Sequence, residues 1–368
     1  MEALVIIIVS AAGMLGAMAV FAPLAPRIGL LDHPDEVRKL HDGAIPLIGG
    51  PALLLVLLAA IALFADAFAS AGVLAGVAAL TVLIGSVDDC LDLSPSGRLL
   101  FMLGLAGLVT LFGGVSITHL GDLAGTGSDL PLGWLGPWIT VGAIAAAMNA
   151  FNMLDGTDGQ ASGLALVAAA AIAGSALLAG AALPPIALVL LGALPVFLVF
   201  NHMPAGAALP KSFLGDSGAL LLGLLTGWLL ISSAQAPAGW LDPVTVLWFA
   251  AVPLFDTLFV MSYRMLHRRS PLSPDRNHVH HLLQDYGFSR LATLVMVLAS
   301  AAVFAAAGLA LQRLNAPEVL SFLTLFGLFL GYLSAALYLH RRRPFTDTGS
   351  MKAIEVDTED RKVASSST

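Results

Sequence analysis

Apolar blocks of about 20 residues recur along the chain, the length a helix needs to cross the hydrocarbon of a bilayer. Bounded by Pro, Gly and charge, about eleven such blocks are read as spans, at about 4–26, 47–65, 70–87, 98–115, 136–151, 161–181, 184–202, 217–234, 243–263, 290–311 and 319–339. The blocks near 70 and 136 are the short ones, and tilt is expected there. A mean hydropathy of +0.90, with 58% apolar and 11% charged residues, excludes a soluble core. The 37 glycines fit close helix approach in a membrane. The fold class is therefore all-α, a polytopic transmembrane helix bundle.

Charge placement orients the bundle more than its formal net of −7 does. Arg27, Arg38, Lys39, Arg98, Lys211, Arg264, Arg268, Arg269, Arg276, Arg290, Arg341, Arg342, Arg343, Lys352, Arg361 and Lys362 fall on one side of this map, and Arg313 on the other. The positive-inside rule makes the first side cytoplasmic, with the N-terminus outside and the C-terminus inside. The N-terminal block lacks a basic leader, so it reads as a retained span and not a cleaved signal. Residues 341–368 read as a disordered cytoplasmic tail whose basic start anchors at anionic headgroups, leaving 1–340 as the transmembrane domain. Cys90 is the only cysteine, which excludes an intrachain disulfide and a cysteine metal cluster. No internal repeat is visible, and nothing points to nucleic acid.

Four polar clusters fall on the cytoplasmic side: "DDCLD", "NAFNMLDGTDG", "FLGDSG" and "PDRNHVHHLL". The acids outside, Asp66, Asp122, Asp129, Asp242 and Glu318, are scattered singly. Asp88 and Asp92, four apart, would share a helix face and pair their carboxylates on a divalent cation, or merely end the third span. Asn149, Asn152, Asp155 and Asp158 make an oxygen-rich site suited to Mg2+, with Gly156 and Gly159 permitting tight turns; a polar helix end is the alternative. Lys211 precedes Asp216, for which a helix N-cap is an equal explanation. His278, His280 and His281 beside Arg276 suit phosphate better than zinc, and a solvated basic loop is the alternative. Asp256 lies within the ninth span, where a carboxylate is a functional candidate unless Arg264 neutralises it. Grouped carboxylates beside histidines and arginines at a membrane surface suggest that a divalent metal and a phosphate-bearing lipid meet there.

In their order, these segments resemble the polyprenyl-phosphate N-acetylhexosamine-1-phosphate transferases, bacterial enzymes that begin envelope glycans such as O-antigen. The similarity runs from "HPDEVRKLHDGAIPLIGG" through "DDCLDL", "NAFNMLDGTDG", "FLGDSG" and "PLFDTL" to "SPDRNHVHHLL". "HVHHLLQ" is like the N-acetylhexosamine branch, and Ala219 departs from a hydroxyl residue common after "GDxG". The resemblance implies that undecaprenyl phosphate attacks a UDP-N-acetylhexosamine, UDP-GlcNAc first among them, releasing UMP. It implies Mg2+, with Mn2+ the alternative ion, held by Asp216 and Asn152. It places Asp88 and Asp89 near the lipid phosphate, Asp155 and Asp158 near the nucleotide diphosphate, and His278, His280 and His281 near the sugar or its phosphate. Asp88, Asp89, Asp155, Asp158 and His278 are the catalytic candidates; Lys39, Asn149, Lys211, Arg264, Arg276, His280 and His281 are the substrate-binding ones. The setting implied is the bacterial inner membrane, with the site facing the cytoplasm and oligomeric state open, a homodimer included.

A phosphate monoester is largely ionised at neutral pH, so neutralising and aligning two anions is the larger catalytic task, and a general base at Asp88 or Asp89 is secondary. Two rivals remain at this stage. An intramembrane prenyltransferase would share the aspartate-rich motif, and a transporter would share the many spans.

Overall fold

The computed structural model describes residues 1–34, 43–91, 93–204, 210–271 and 277–342. Lys39, Asp92, Arg276 and the 343–368 part of the tail lie outside those residues. The apolar blocks of the sequence are helices: α1 (Glu2–Ile28), α2 (Gly49–Leu63), α3 (Ala71–Leu91), α4 (Pro95–Phe112), α5 (Gly136–Leu154), α6 (Gln160–Ala179), α7 (Pro185–Asn201) and α8 (Gly215–Ala234). They continue with α9 (Pro243–Phe249), α10 (Ala251–Leu266), the short α11 (Val279–Asp285), α12 (Arg290–Arg313) and α13 (Glu318–Arg341). Among the described residues, eight helices are long and apolar enough to cross a membrane, α9 with α10 forms a broken candidate, and α2 and α7 are shorter. The blocks near 70 and 136 are not the short ones: α3 has 21 residues and α5 has 19, because each runs on through its polar C-terminal motif. Among the described residues the one sheet is β1 (Leu31–Asp32) against β2 (Ile45–Pro46), antiparallel, beside the start of α2, with isolated bridges between Leu47 and Phe213 and between His119 and Pro131.

The predicted ninth span is two helices bent by 76°. Pro253 explains the break, because it has no N–H to donate toward Phe249 and its ring crowds that carbonyl, which ends α9. Ala250 turns the chain with φ −103° and ψ 10°, and its carbonyl then accepts from Leu254 to start α10.

The hub is α8. Of its 20 residues all but Asp216 and Ser232 are buried, and α2, α3, α5, α6, α7 and α9 pack around it. In lipid, where apolar burial drives little association, such packing depends on close van der Waals approach. Gly85 shows how close: a Cβ there would lie 2.3 Å from Ser217 Cα, so α3 touches the backbone of α8 at its first turn.

On the opposite face four of the five acids expected to be scattered, Asp122, Asp129, Asp242 and Glu318, lie together, while Asp66 lies in the turn between α2 and α3. Glu318 accepts from the Asp122 backbone N–H at 2.9 Å, and Gln235 accepts from Thr118 N and Oγ1 at 2.8 and 2.7 Å while donating to the His119 carbonyl at 3.0 Å. His119 pairs with Asp129 at 3.2 Å, and burial followed by the charge of Asp129 pushes the Asp242 carboxyl up. These contacts add to the loop's own backbone bonds between α4 and α5, among them Leu130 N to the Gly121 carbonyl at 2.8 Å and Leu132 N to the Thr118 carbonyl at 2.9 Å, and tie the loop to the end of α8 and to α13.

Gly85→Ala is predicted to lower the melting temperature by roughly 3 to 10 °C, because backbone at Ser217 must move. Gly76→Ala, on the same helix where a Cβ meets nothing within 4 Å, serves as the control and leaves it unchanged. Equal behaviour of the two in a thermal melt of the purified protein contradicts the close approach.

Candidate active site

Helix ends carry the site. Leu214, at the N-cap position of α8, offers no side-chain cap, so the first N–H groups of that helix need an acceptor from elsewhere. Asp89, near the end of α3, supplies it: Oδ1 accepts from Asp216 N at 2.8 Å and Oδ2 from Ser217 N at 3.3 Å. The N-cap explanation for Asp216 therefore fails, because Asp89 caps the helix from a neighbour. The Asp216 carboxylate turns outward instead, where Oδ1 accepts from Asn152 Nδ2 at 2.8 Å.

Arg98 completes this group. Its guanidinium lies 2.9 Å from Asp88, 3.1 Å from the Asn152 amide oxygen and 3.8 Å from Asp216. Ser94 holds it in place by capping α4, its hydroxyl accepting from Gly97 N, with Pro95 preset for the first helical position. Asp88 is only 3% exposed and accepts from Leu93 N, so it faces Arg98 and the chain turn. The sequence pairing of Asp88 with Asp92 has no described counterpart, since α3 ends at Leu91 and Asp92 is outside the described residues.

Asp155 follows α5 directly and feels Asp216, Asp89 and Asp158 together. Burial first, and then those three charges, push its carboxyl well above the usual carboxylate range. Asp158 pairs with Lys211 at 2.5 Å. Asn149 is not part of the group: its amide donates to Met153 Sδ at 3.0 Å, one turn along its own helix.

The histidine loop closes the other side. His280 sits against the "DGTDG" turn, where a Cβ on Gly156 would come within 2.6 Å of Nε2, so only glycine leaves room for the ring. Gln160 Nε2 lies 3.2 Å from His280 Nδ1, and Gln284 donates to Thr157 Oγ1 at 3.3 Å. His281 lies beside His280 with ring centroids 4.2 Å apart. His278 pairs with Asp256 at 2.6 Å, so the partner of that intramembrane carboxylate is a histidine and not Arg264. Arg264 is 3% exposed and donates to the Pro271 carbonyl at 2.7 Å, which braces the loop. Lys39 and Arg276 cannot be placed on this site, being outside the described residues.

Sequence reasoning missed Arg98, Gln160 and Tyr332, which donates to Asp256 at 3.1 Å. Arg98 had a signal in "SPSGR", a helix start that puts an arginine one turn in, ten residues after Asp88. Tyr332 had none.

No three His, Cys, Asp or Glu side chains converge as a metal cluster among the described residues. A cation that relies on few protein ligands still fits. Mg2+ takes one or two carboxylates and completes its octahedron with water and substrate phosphate. Asp216 and Asn152 offer one carboxylate and one amide oxygen, and both already face the Arg98 cation. Asp88, Asp89, Asp155, Asp158 and Asp216 face only Arg98 and Lys211 as described cations, a surplus of negative charge that favours another.

A carboxyl held above its unfolded range favours a protonated folded state, so its ionisation costs stability as pH rises past about 4, the unfolded value. Asp155→Asn is accordingly predicted to raise the melting temperature in EDTA at pH 8 and to leave it unchanged near pH 4. A variant that melts below the parent at pH 8 contradicts the crowding of charge at Asp155.

Comparison with known proteins gives the chain its family. The family described as Glycosyl transferase family 4 matches residues 71–234, from α3 to the end of α8. The undecaprenyl-phosphate alpha-N-acetylglucosaminyl 1-phosphate transferase of Pasteurella multocida is 35% identical over 329 residues, 89% of this chain and 91% of its own length. Its namesakes in Yersinia pestis and Escherichia coli K12 are each 33% identical, the first covering 84% of this chain and 85% of its own, the second 77% of each. The chain belongs to glycosyl transferase family 4, as a relative of its undecaprenyl-phosphate sugar 1-phosphate transferases.

Proposed function

We propose that this membrane enzyme transfers N-acetylglucosamine 1-phosphate from UDP-GlcNAc to undecaprenyl phosphate, releasing UMP, at the cytoplasmic face of a bacterial inner membrane. The named activity of its relatives supports the sugar 1-phosphate transfer and the lipid acceptor. One observation supports the site above others: Asn152 and Asp216 are bonded to each other, with Arg98 beside both, where α3, α4, α5 and α8 end together.

An oxygen of the lipid phosphate forms a bond to the sugar-linked phosphorus, and the bond from that phosphorus to the oxygen shared with the UMP phosphate breaks. The electron pair leaves with UMP. Two anions must approach for this, so the chain's task is to neutralise charge and hold the reactants in line. Mg2+ held by Asp216 and Asn152 would supply charge neutralisation at the diphosphate. Arg98, 3.1 Å from Asn152, supplies a fixed positive charge to the same place. Lys211, paired with Asp158 beside it, supplies a second near the nucleotide side. His278 and His280, on rings stacked 5.7 Å apart, present donors to the sugar phosphate.

Asp89 serves here mainly as a cap and a positioning group, since both of its oxygens are taken by backbone N–H groups. Asp89→Asn is expected to lower turnover with no recovery at high pH. Recovery with rising pH would indicate a general base.

Purified protein with undecaprenyl phosphate, UDP-GlcNAc and Mg2+ is predicted to form UMP, tested beside a panel of other UDP-sugars. Asp216→Asn is predicted to reduce the rate by about 100- to 1,000-fold. UMP formed equally well in EDTA, or by the variant, contradicts the metal assignment. Pyrophosphate release in place of UMP contradicts the reaction.

A further inference from the structure

Asp256 is a carboxylate at 1% exposure inside α10, and three donors from two segments, the start of α11 and α13, meet on it. Oδ2 takes the Nδ1–H of His278 at 2.6 Å. Oδ1 takes the backbone N–H of Val279, the first residue of α11, at 2.8 Å and the phenol of Tyr332 in α13 at 3.1 Å. A buried carboxylate is costly unless its lone pairs are used, and these three bonds use them. Tyr332 is itself held by aromatic contact, with Phe259 edge-on at 6.1 Å and Phe255 at 5.9 Å, so its hydroxyl is aimed at Asp256.

A carboxylate accepts only, so the nitrogen of His278 that faces Asp256 must carry the proton, and Nε2 is the nitrogen left to meet a ligand. Among the described residues that Nε2 has no hydrogen-bond partner. The bond to Val279 also fixes where α11 begins, and with it the ring plane that His278 shares with His280 at 8°.

We propose that Asp256, locked by Tyr332, is the positioning residue for His278: it sets the ring's tautomer and orientation, and thereby joins the last helix, α13, to the transfer reaction. This rests on the reading of His278 as a substrate contact. Carboxylates behind a functional imidazole act in the same way in other settings, and removing such a partner lowers activity about 10- to 100-fold at metal-bound histidines and about 10,000-fold in a serine hydrolase triad.

The test uses full-length protein in nanodiscs, with Asp256→Asn, Tyr332→Phe, His278→Gln and the double variant Asp256→Asn with His278→Gln. Asp256→Asn retains an oxygen for Val279 N–H but no longer demands a proton on His278 Nδ1. Turnover is expected to fall about 10- to 100-fold in Asp256→Asn and less in Tyr332→Phe. In the His278→Gln background, Asp256→Asn is expected to add less than about a twofold loss, because residues acting as one unit do not add. Nitrogen-15 NMR of histidine-labelled protein, with His278 assigned by its absence in His278→Gln, is expected to show the Nδ1–H form in the parent and its loss in Asp256→Asn. Multiplying losses in the double variant, or parental turnover in Asp256→Asn, overturn the proposal. A fully active His278→Gln enzyme overturns it by another route, since the site reading beneath it then fails while the tautomer result still reports the Asp256 contact.

Discussion

The bond from Asp89 to the first turn of α8 is the contact on which the rest of the site depends. A buried helix of 20 residues presents partial positive charge and unpaired N–H groups at its start, and both call for an anion. Supplying that anion from α3 has two effects. It ties the ends of two helices together, and it leaves Asp216, already in the first turn, to face outward. Close approach of α3 at Gly85 makes the arrangement possible, because the carboxylate must come within bonding distance of backbone.

Once Asp216 faces outward, electrostatics organises what surrounds it. Burial first, and then the charges of Asp216, Asp89 and Asp158, push the Asp155 carboxyl up. Arg98 and Lys211 offset part of that negative charge. The remainder favours a further cation, and under the proposed function a divalent ion there would face a diphosphate that the bare carboxylates would repel. The histidine loop meets this pocket across Gly156 and Gln160, and is held from behind by Asp256.

Much of the helical fold was legible in the sequence, because membrane-length apolar runs are long and uninterrupted. The break in the ninth block was not. Pro253 marks it, yet Pro195 lies inside α7, and Pro23 and Pro26 lie inside α1, so proline alone does not announce a break. The acid and amide cluster was legible because so few charges are available elsewhere. Arg98 was hidden by its own plausibility: an arginine at that end of a span is already expected from charge orientation. Asp256 was noticed, but its partner was sought at Arg264 on the same helix, whereas it lies 22 residues away beyond a turn. The gathering of Asp122, Asp129, Asp242 and Glu318 on the opposite face was likewise invisible, since it depends on which helix ends adjoin.

The central claim is that chain segments far apart in sequence meet around one cation. Replacing Mg2+ by Fe2+ and generating hydroxyl radical there cuts backbone close to the ion, and mass spectrometry locates the cuts. The account predicts cuts near residues 152–158 and 215–217, with a third set near 88–91, all suppressed by excess Mg2+. Cuts confined to one segment, or indifferent to Mg2+, contradict it.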